Sequence, residues 1–206
     1  AFVVRTENVM NVQETTVEKD LMKTAQRIVG MLSEERIMDT ETWIDAVAIG
    51  AGVYARVREL GLQVHAFKGG ESPTEKSEEE KLKDPIEYFN LRAEVYWKFR
   101  TWVLQGGALV PHKDWKQLSI IKYRVTSDKK IQIMSKEEMR ARGDLGASES
   151  TDIPDAGSMT FVHNIVKFNM KAIASQPNKP YYPDIDGGSN TIQPRQSEAR
   201  FNHDFS

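Results

Sequence analysis

The sequence predicts an α/β fold, a mixed sheet flanked by helices, and three features carry that prediction. Thr42 to Phe67 reads as strand, glycine turn, helix and strand, the order of a parallel, right-handed crossover. The first residues alternate like a pair of strands. A long aromatic helix, Phe89 to Gln105, supplies a layer able to cover such a sheet. Among the 206 residues, 39% are hydrophobic and 28% charged, enough to bury the core of one domain. The formal net charge of −2 excludes attachment to nucleic acid by bulk positive charge, while leaving room for a local basic face. No cysteine is present, which excludes disulfides, thiolate metal sites and a cysteine nucleophile. No apolar run approaches the roughly 20 residues that span a bilayer. Residues Ala1 to Asn11 lack the layout of a secretion signal. These exclusions imply a soluble protein of a reducing compartment.

Ala1 to Arg5 is β-prone, Glu7-Asn8 suits a turn, and Val9 to Gln13 alternates as a returning strand. Thr15 and Glu18 have capping-box spacing, ahead of a helix with Leu21, Ala25, Ile28 and Leu32 on one face. Thr42 to Ile49 reads as a buried strand containing Asp45, broken by Gly50-Ala-Gly52 before a helix, Val53 to Leu60, that ends at Gly61. Leu62 to Phe67 is the next strand. Lys68 to Asp84, rich in Gly, Ser, Pro and Glu, reads as an exposed, mobile insertion whose charge run is solvated. In the Phe89–Gln105 helix, Leu91, Val95, Phe99 and Trp102 have core spacing. A short helix at Asp114–Ile121 and a hairpin, Tyr123–Thr126 with Ile131–Met134, follow. Ser135 and Glu138 form a capping box for another short helix. Ser150 or Asp152 caps the last helix, with Pro154 in its first turn. From Ala174 onward apolar residues thin out, so this tail cannot form a core of its own and should lie along another surface or be disordered. There is no internal repeat.

Carboxylates are the candidate chemistry. An isolated Asp45 inside a parallel strand would be costly unless paired or bound to a cation, although, taken alone, an Asp at a strand end that caps the next loop is the better explanation. Asp152 and Asp155, three residues apart at a helix start, project from one face and repel each other unless a proton or metal intervenes; they also suit free helix N–H groups. Hard oxygen ligands without His or Cys point to Mg²⁺ or Mn²⁺, the ions of phosphoryl transfer. Gly50-x-Gly52-x-x-Ala55, with Glu71 19 residues past Gly52, also fits a dinucleotide-binding pattern, but a carboxylate within its strand and the place of Glu71 in the insertion argue against it. No P-loop and no G-x-S-x-G occurs. His65, His112, His163 and His203 are scattered, without metal spacing.

Charge is uneven. From His112 to Arg142 nine basic residues face four acids, a net charge of +5 that leads directly to Asp152 and Asp155. Lys129, Lys130, Lys136 and Arg140 are the candidate phosphate contacts. An ordinary solvated hairpin accounts for the charge alone equally well.

The segments Ile44–Tyr54, Asn90–Glu94, Ile133–Lys136, Arg142-Gly143 and Ser150–Ala156, in that order, resemble the nuclease domain of the large terminase subunit of tailed bacteriophages. The resemblance covers Ala1 to Val162. It implies an RNase H-like (RuvC-type) fold with acidic residues binding two divalent ions, Mg²⁺ or Mn²⁺, and an endonuclease that cuts concatemeric viral double-stranded DNA during packaging. It assigns Asp45 as the strand ligand and Asp152 and Asp155 as the late pair, with Asp155 the more central. It further implies the small terminase subunit and the portal or procapsid as partners, an ATPase domain upstream in the natural chain, and the cytoplasm of the infected host as location. The expected division is a nuclease domain at 1–165 and a C-terminal tail at 166–206.

Three departures from the family accompany it. The family's first catalytic Asp lies on an opening strand upstream of Ala1, so the natural protein is expected to continue N-terminally, the strand's absence leaving two neighbours unpaired. Thr151, Pro154 and Gly157 replace the usual residues around the late pair, and Gly157 is expected to weaken packing there. The insertion at 68–84 is longer than usual. The other readings are a nuclease-fold module that binds DNA or the portal without cutting, and a dinucleotide-binding enzyme.

Overall fold

Two antiparallel strands, Phe2–Thr6 (β1) and Val9–Glu14 (β2), open the chain in this computed structural model, which describes residues 1–162. Helix α1 (Leu21–Glu34) follows, burying Ala25, Ile28, Val29, Met31 and Leu32. Its cap is not the expected box at Thr15 and Glu18. Asp20, immediately before the first apolar position, accepts the N–H groups of Met22 and Lys23, and Glu18 takes the N–H of Asp20.

The crossover is present: Trp43–Asp45 (β3) and His65–Phe67 (β4) run parallel, joined through helix α2 (Ile49–Glu59). The strand is shorter than the sequence suggests. It ends at Asp45, Ala48 takes a positive φ of 50°, and Ile49 is already helical. Gly50 and Gly52 are therefore not breakers but points of close approach. A Cβ on Gly50 would lie 1.9 Å from the Asp45 carbonyl oxygen, and one on Gly52 2.8 Å from Leu21 Cδ1.

The insertion is more ordered than expected. It contains helix α3 (Glu78–Lys83), started by a Ser77/Glu80 capping box, and its Glu78-Glu79-Glu80 run stays solvated. Lys76 Nζ donates to the Asp84 carboxylate at 2.7 Å and to the Ile86 carbonyl, and the Thr74 N–H donates to buried Glu94 at 2.7 Å.

Helix α4 (Leu91–Leu104), capped by Asn90, buries Leu91, Val95 and Phe99 as its spacing predicts. Ala108–Leu109 (β5) then pairs parallel to β2, making a mixed three-stranded piece of sheet. The expected short helix is a 3-10 helix, Lys113–Ser119, capped by His112. The hairpin is Tyr123–Val125 (β6) with Ile131–Ile133 (β7). Helix α5 (Lys136–Ala141) has the expected Ser135/Glu138 box. Helix α6 (Asp152–Met159) starts after Thr151, with Pro154 in its first turn. Among the described residues, the strands form a three-stranded piece and two pairs instead of one continuous sheet. The expected boundary at 165 and the tail lie outside the described residues.

Adjacent strand residues feed different cores. Trp43 packs with Met10, Phe67, Val95, Phe99 and Ile153, whereas Ile44 packs with Ile28, Leu32, Val53 and Val57. Because strand side chains alternate, the two cores lie on opposite faces: α4 and α6 cover one, α1 and α2 the other. Gly157 lies on the first face. A Cβ there would lie 3.1 Å from Met10 Sδ and 3.1 Å from Phe99 Cε1. The expectation that it loosens α6 is reversed, because the missing side chain lets α6 seat closely.

Candidate functional site

Parallel pairing fixes Asp45 at the C-terminal end of β3, opposite Phe67, where its side chain reaches the surface. The Val47 N–H donates to Asp45 Oδ1 at 3.1 Å, so this carboxylate closes the turn into α2. The argument from a costly buried carboxylate thus fails, because the strand ends at this residue. Its surroundings are still electrostatically distinct. Partial burial raises its pKa above the ordinary Asp value; the Val47 N–H lowers it, the charge of Asp155 raises it further, and Lys136 and Arg92 counter that rise. Asp45 therefore shares a field with Asp155, 110 residues away in sequence.

Asp155 is the centre of the arrangement. Its Oδ1 accepts from the Tyr96 hydroxyl at 2.6 Å and from Arg92 at 3.3 Å. Its Oδ2 accepts from the Thr151 hydroxyl at 2.8 Å and from Lys136 Nζ at 3.0 Å. Burial pushes the Asp155 pKa up, but Arg92, Lys136 and Tyr96 outweigh it and hold the carboxyl below the usual range. The Tyr96 phenol moves the other way: burial and the neighbouring negative charge raise it well above its ordinary value. Asp152, the first residue of α6, is exposed and shares Lys136, whose Nζ lies 3.5 Å from Asp152 Oδ1.

Local sequence explains these positions. The α6 start places Asp152 and Asp155 one turn apart, and buried Thr151 adds its hydroxyl from the cap position. The Ser135/Glu138 box starts α5 so that Lys136, its first residue, reaches the pair. Arg92 and Tyr96 are four residues apart on α4, and Arg92 also donates to the Met134 carbonyl at 3.1 Å, joining α4 to the end of the hairpin. Sequence reasoning passed over Arg92, Tyr96 and Thr151. The available signal was slight, an arginine and a tyrosine at i and i+4 on a helix that also carries Glu94, Lys98 and Arg100.

The proposed phosphate contacts separate. Lys136 faces the carboxylates rather than open solvent. Arg140, on the same helix, is exposed and reaches the Glu149 carbonyl at 3.4 Å. Lys129 and Lys130 lie in the hairpin turn, Lys129 with a φ of 62°. His65 packs on Trp43 with ring centroids 4.8 Å apart, and His112 caps the 3-10 helix; His163 and His203 are outside the described residues.

Hard oxygen donors of this kind suit Mg²⁺ or Mn²⁺ chemically, and the Lys136 ammonium pairs with both Asp152 and Asp155. Among the described residues, no three His, Cys, Asp or Glu side chains meet closely enough to enclose a metal ion.

No protein-family model matches the chain, and no curated protein matches it in sequence. Solved structures do match. The nuclease domain of the large terminase subunit of bacterial virus Sf6, as a lysine-to-alanine variant with manganese, superposes with a TM-score of 0.60 at 19% identity, over 77% of this chain and 80% of that one. The same variant with calcium gives 0.60 at 19% identity, over 77% and 79%. With manganese and beta-thujaplicinol it gives 0.57 at 19%, over the same shares. The fold is that of a terminase nuclease domain. The resemblance read from the five segments holds at the level of the fold, and the chain is a nuclease-fold module. None of the helices among the described residues is long and apolar enough to cross a membrane.

Proposed function

We propose that this chain is a divalent-metal-dependent endodeoxyribonuclease that cuts concatemeric viral double-stranded DNA during genome packaging. What supports the reading is the electrostatic coupling of Asp45, at the end of β3, to Asp155 on α6, whose partner Lys136 also pairs with Asp152, on a terminase-nuclease fold. Asp45, Asp152 and Asp155 would hold two Mg²⁺ or Mn²⁺ ions, which supply a more acidic attacking water and offset charge on the leaving oxygen. Arg92, Tyr96 and Thr151 fix the Asp155 carboxylate in one orientation. Lys136 compensates charge between Asp152 and Asp155. Lys129, Lys130 and Arg140 hold the DNA backbone, giving affinity without sequence choice. The small terminase subunit, the portal or procapsid and an ATPase domain of the same natural chain are the partners this reading carries, in the cytoplasm of the infected host.

The test is Mn²⁺-dependent relaxation of plasmid DNA. Asp45→Ala and Asp155→Ala are expected to abolish cutting with unchanged far-ultraviolet circular dichroism; cutting retained by either folded variant refutes the assignment. A second reading, a nuclease-fold module that binds DNA or the portal without cutting, draws on the four donors that already occupy both oxygens of Asp155. Calorimetric Mn²⁺ titration separates the two, because the non-cutting module has no saturable site. The dinucleotide reading loses its motif, since Gly50 and Gly52 have steric roles inside α2.

A further inference from the structure

Two large apolar side chains stand in solvent just after Asp45. Val47 is 55% exposed and Ile49 75%, a placement that water disfavours. The backbone that carries them is held tightly. The Ala46 N–H donates to the Phe67 carbonyl at 2.9 Å, and the Val47 N–H to the Asp45 carboxylate at 3.1 Å. Gly50 and Ala51 close the turn, their N–H groups donating to the Val47 and Ala48 carbonyls at 3.1 and 3.2 Å. Within it Ala48 takes φ 50° and ψ −119°, a form that glycine adopts more readily than alanine. Such a conformation persists only where its surroundings enforce it. The result is a rigid knuckle that presents Val47 and Ile49 at a fixed place beside Asp45.

Chemistry narrows what the knuckle meets. Residues 46–55 carry no charge, so no acid there repels phosphates and no charge is stripped of water against bases. Two side chains are far too few for a protein partner, whose stable interface takes about 20–30 residues a side. They suit a single base step of DNA. Chain length keeps the Cα atoms of Val47 and Ile49 within about 7 and 14 Å of that of Asp45. A phosphate held at Asp45 therefore brings its adjoining groove to the knuckle. The minor groove, about 6 Å wide, admits apolar wedges such as isoleucine that part neighbouring bases. The major groove, about 12 Å wide, takes a whole helix and leaves two side chains little to grip.

We propose that Val47 and Ile49 form a wedge that enters the minor groove beside the scissile phosphate and unstacks one base step. Apolar side chains read no hydrogen-bonding pattern, so the choice they impose is mechanical. Pyrimidine–purine steps, the easiest to part, are cut preferentially. The cutting rests on the nuclease function proposed above, whereas the unstacking needs only bound DNA.

Two measurements on the full chain test the wedge. In the first, Ca²⁺ replaces Mn²⁺, and short duplexes carry 2-aminopurine as the purine of a central TA step. Fluorescence of the unstacked base should rise at saturation with the parent and stay flat with Val47→Ser/Ile49→Ser. In the second, the ends left by Mn²⁺-dependent cutting of plasmid DNA are sequenced. The parent should favour TA and CA/TG steps; the double variant should lose that preference and cut about tenfold more slowly. A mismatch at the cut step, already unstacked, should restore its rate. Leu104→Ser, which removes an exposed leucine at the opposite end of α4 from Arg92, should keep the parent's preference. No fluorescence rise with the parent, an equal rise with the double variant, an unchanged step preference or failure of the mismatch to rescue would overturn the wedge. A parent that unstacks the step yet never cuts would overturn the nuclease reading alone, and one that binds no duplex would overturn both. Circular dichroism establishes that each variant is folded, and Ile49→Ala alone serves if the double variant is not.

Discussion

Asp155 concentrates the electrostatics of the molecule in one side chain. Its folded-state pKa lies below the ordinary Asp value, so its stabilising contribution is complete above about pH 4 and is lost as pH falls through the folded pKa. Tyr96→Phe removes the 2.6 Å hydroxyl donor, a bond to a charged acceptor worth about 1.5–3 kcal/mol. The variant should therefore melt below the parent at pH 7, and the gap should narrow as pH falls through the folded-state pKa of Asp155, where the carboxyl loses its charge. A gap independent of pH would show that the phenol serves packing alone. The acidic residues drew notice through the order of the five segments, since a strand end and a helix start suit a carboxylate on ordinary grounds. Their holders did not. Tyr96 and Arg92 lie 59 and 63 residues before Asp155, and only the packing of α4 against α6 makes them neighbours.

At the level of elements, spacing foretold most helices and the hairpin, because periodicity and capping boxes are local properties. It failed where the backbone turns on a close approach. Gly50 and Gly157 look like breakers in a one-dimensional reading, yet each sits where a side chain would strike a neighbouring element. Gly157→Ala sets a helix-propensity gain of about 1 kcal/mol against an overpacking cost of about 1–3 kcal/mol. Met10 and Phe99 are fully buried and have little room to yield, so the net change in urea denaturation should be destabilising. The β6–β7 hairpin makes a separate prediction. If its turn grips phosphates, the double variant Lys129→Ala/Lys130→Ala should weaken binding to every duplex alike and reduce the slope of log K against log salt by about 2. An unchanged slope would remove these lysines from the interface.

At the scale of the molecule, two cores meet along strand β3 and the segment that enters β4, since Trp43 and Phe67 serve one while Ile44 and Val64, just ahead of β4, serve the other. A defect in one core should therefore be felt in both. Phe99→Ala, at the centre of contacts with Trp102, Trp115 and Phe161, should cost about 3–5 kcal/mol. The slowest-exchanging amides of α1 and α2 should then accelerate together with those of α4; acceleration confined to α4 and α6 would mean two independent folding units. The layered α/β plan was readable from the crossover alone. The division of the sheet into separate pieces was not, because strand pairing is a long-range property that no local pattern encodes.

The placing of Lys136 and Arg92 among the three acids bears on how a substrate can arrive. Three negative side chains and two positive ones leave that corner of the protein with about one net negative charge. A polyanion nearing it meets far weaker repulsion than bare acids would exert, and at physiological ionic strength even that fades within about 8 Å. Under the proposed function, DNA and divalent cations would then load in either order, neither waiting for the other to clear the way.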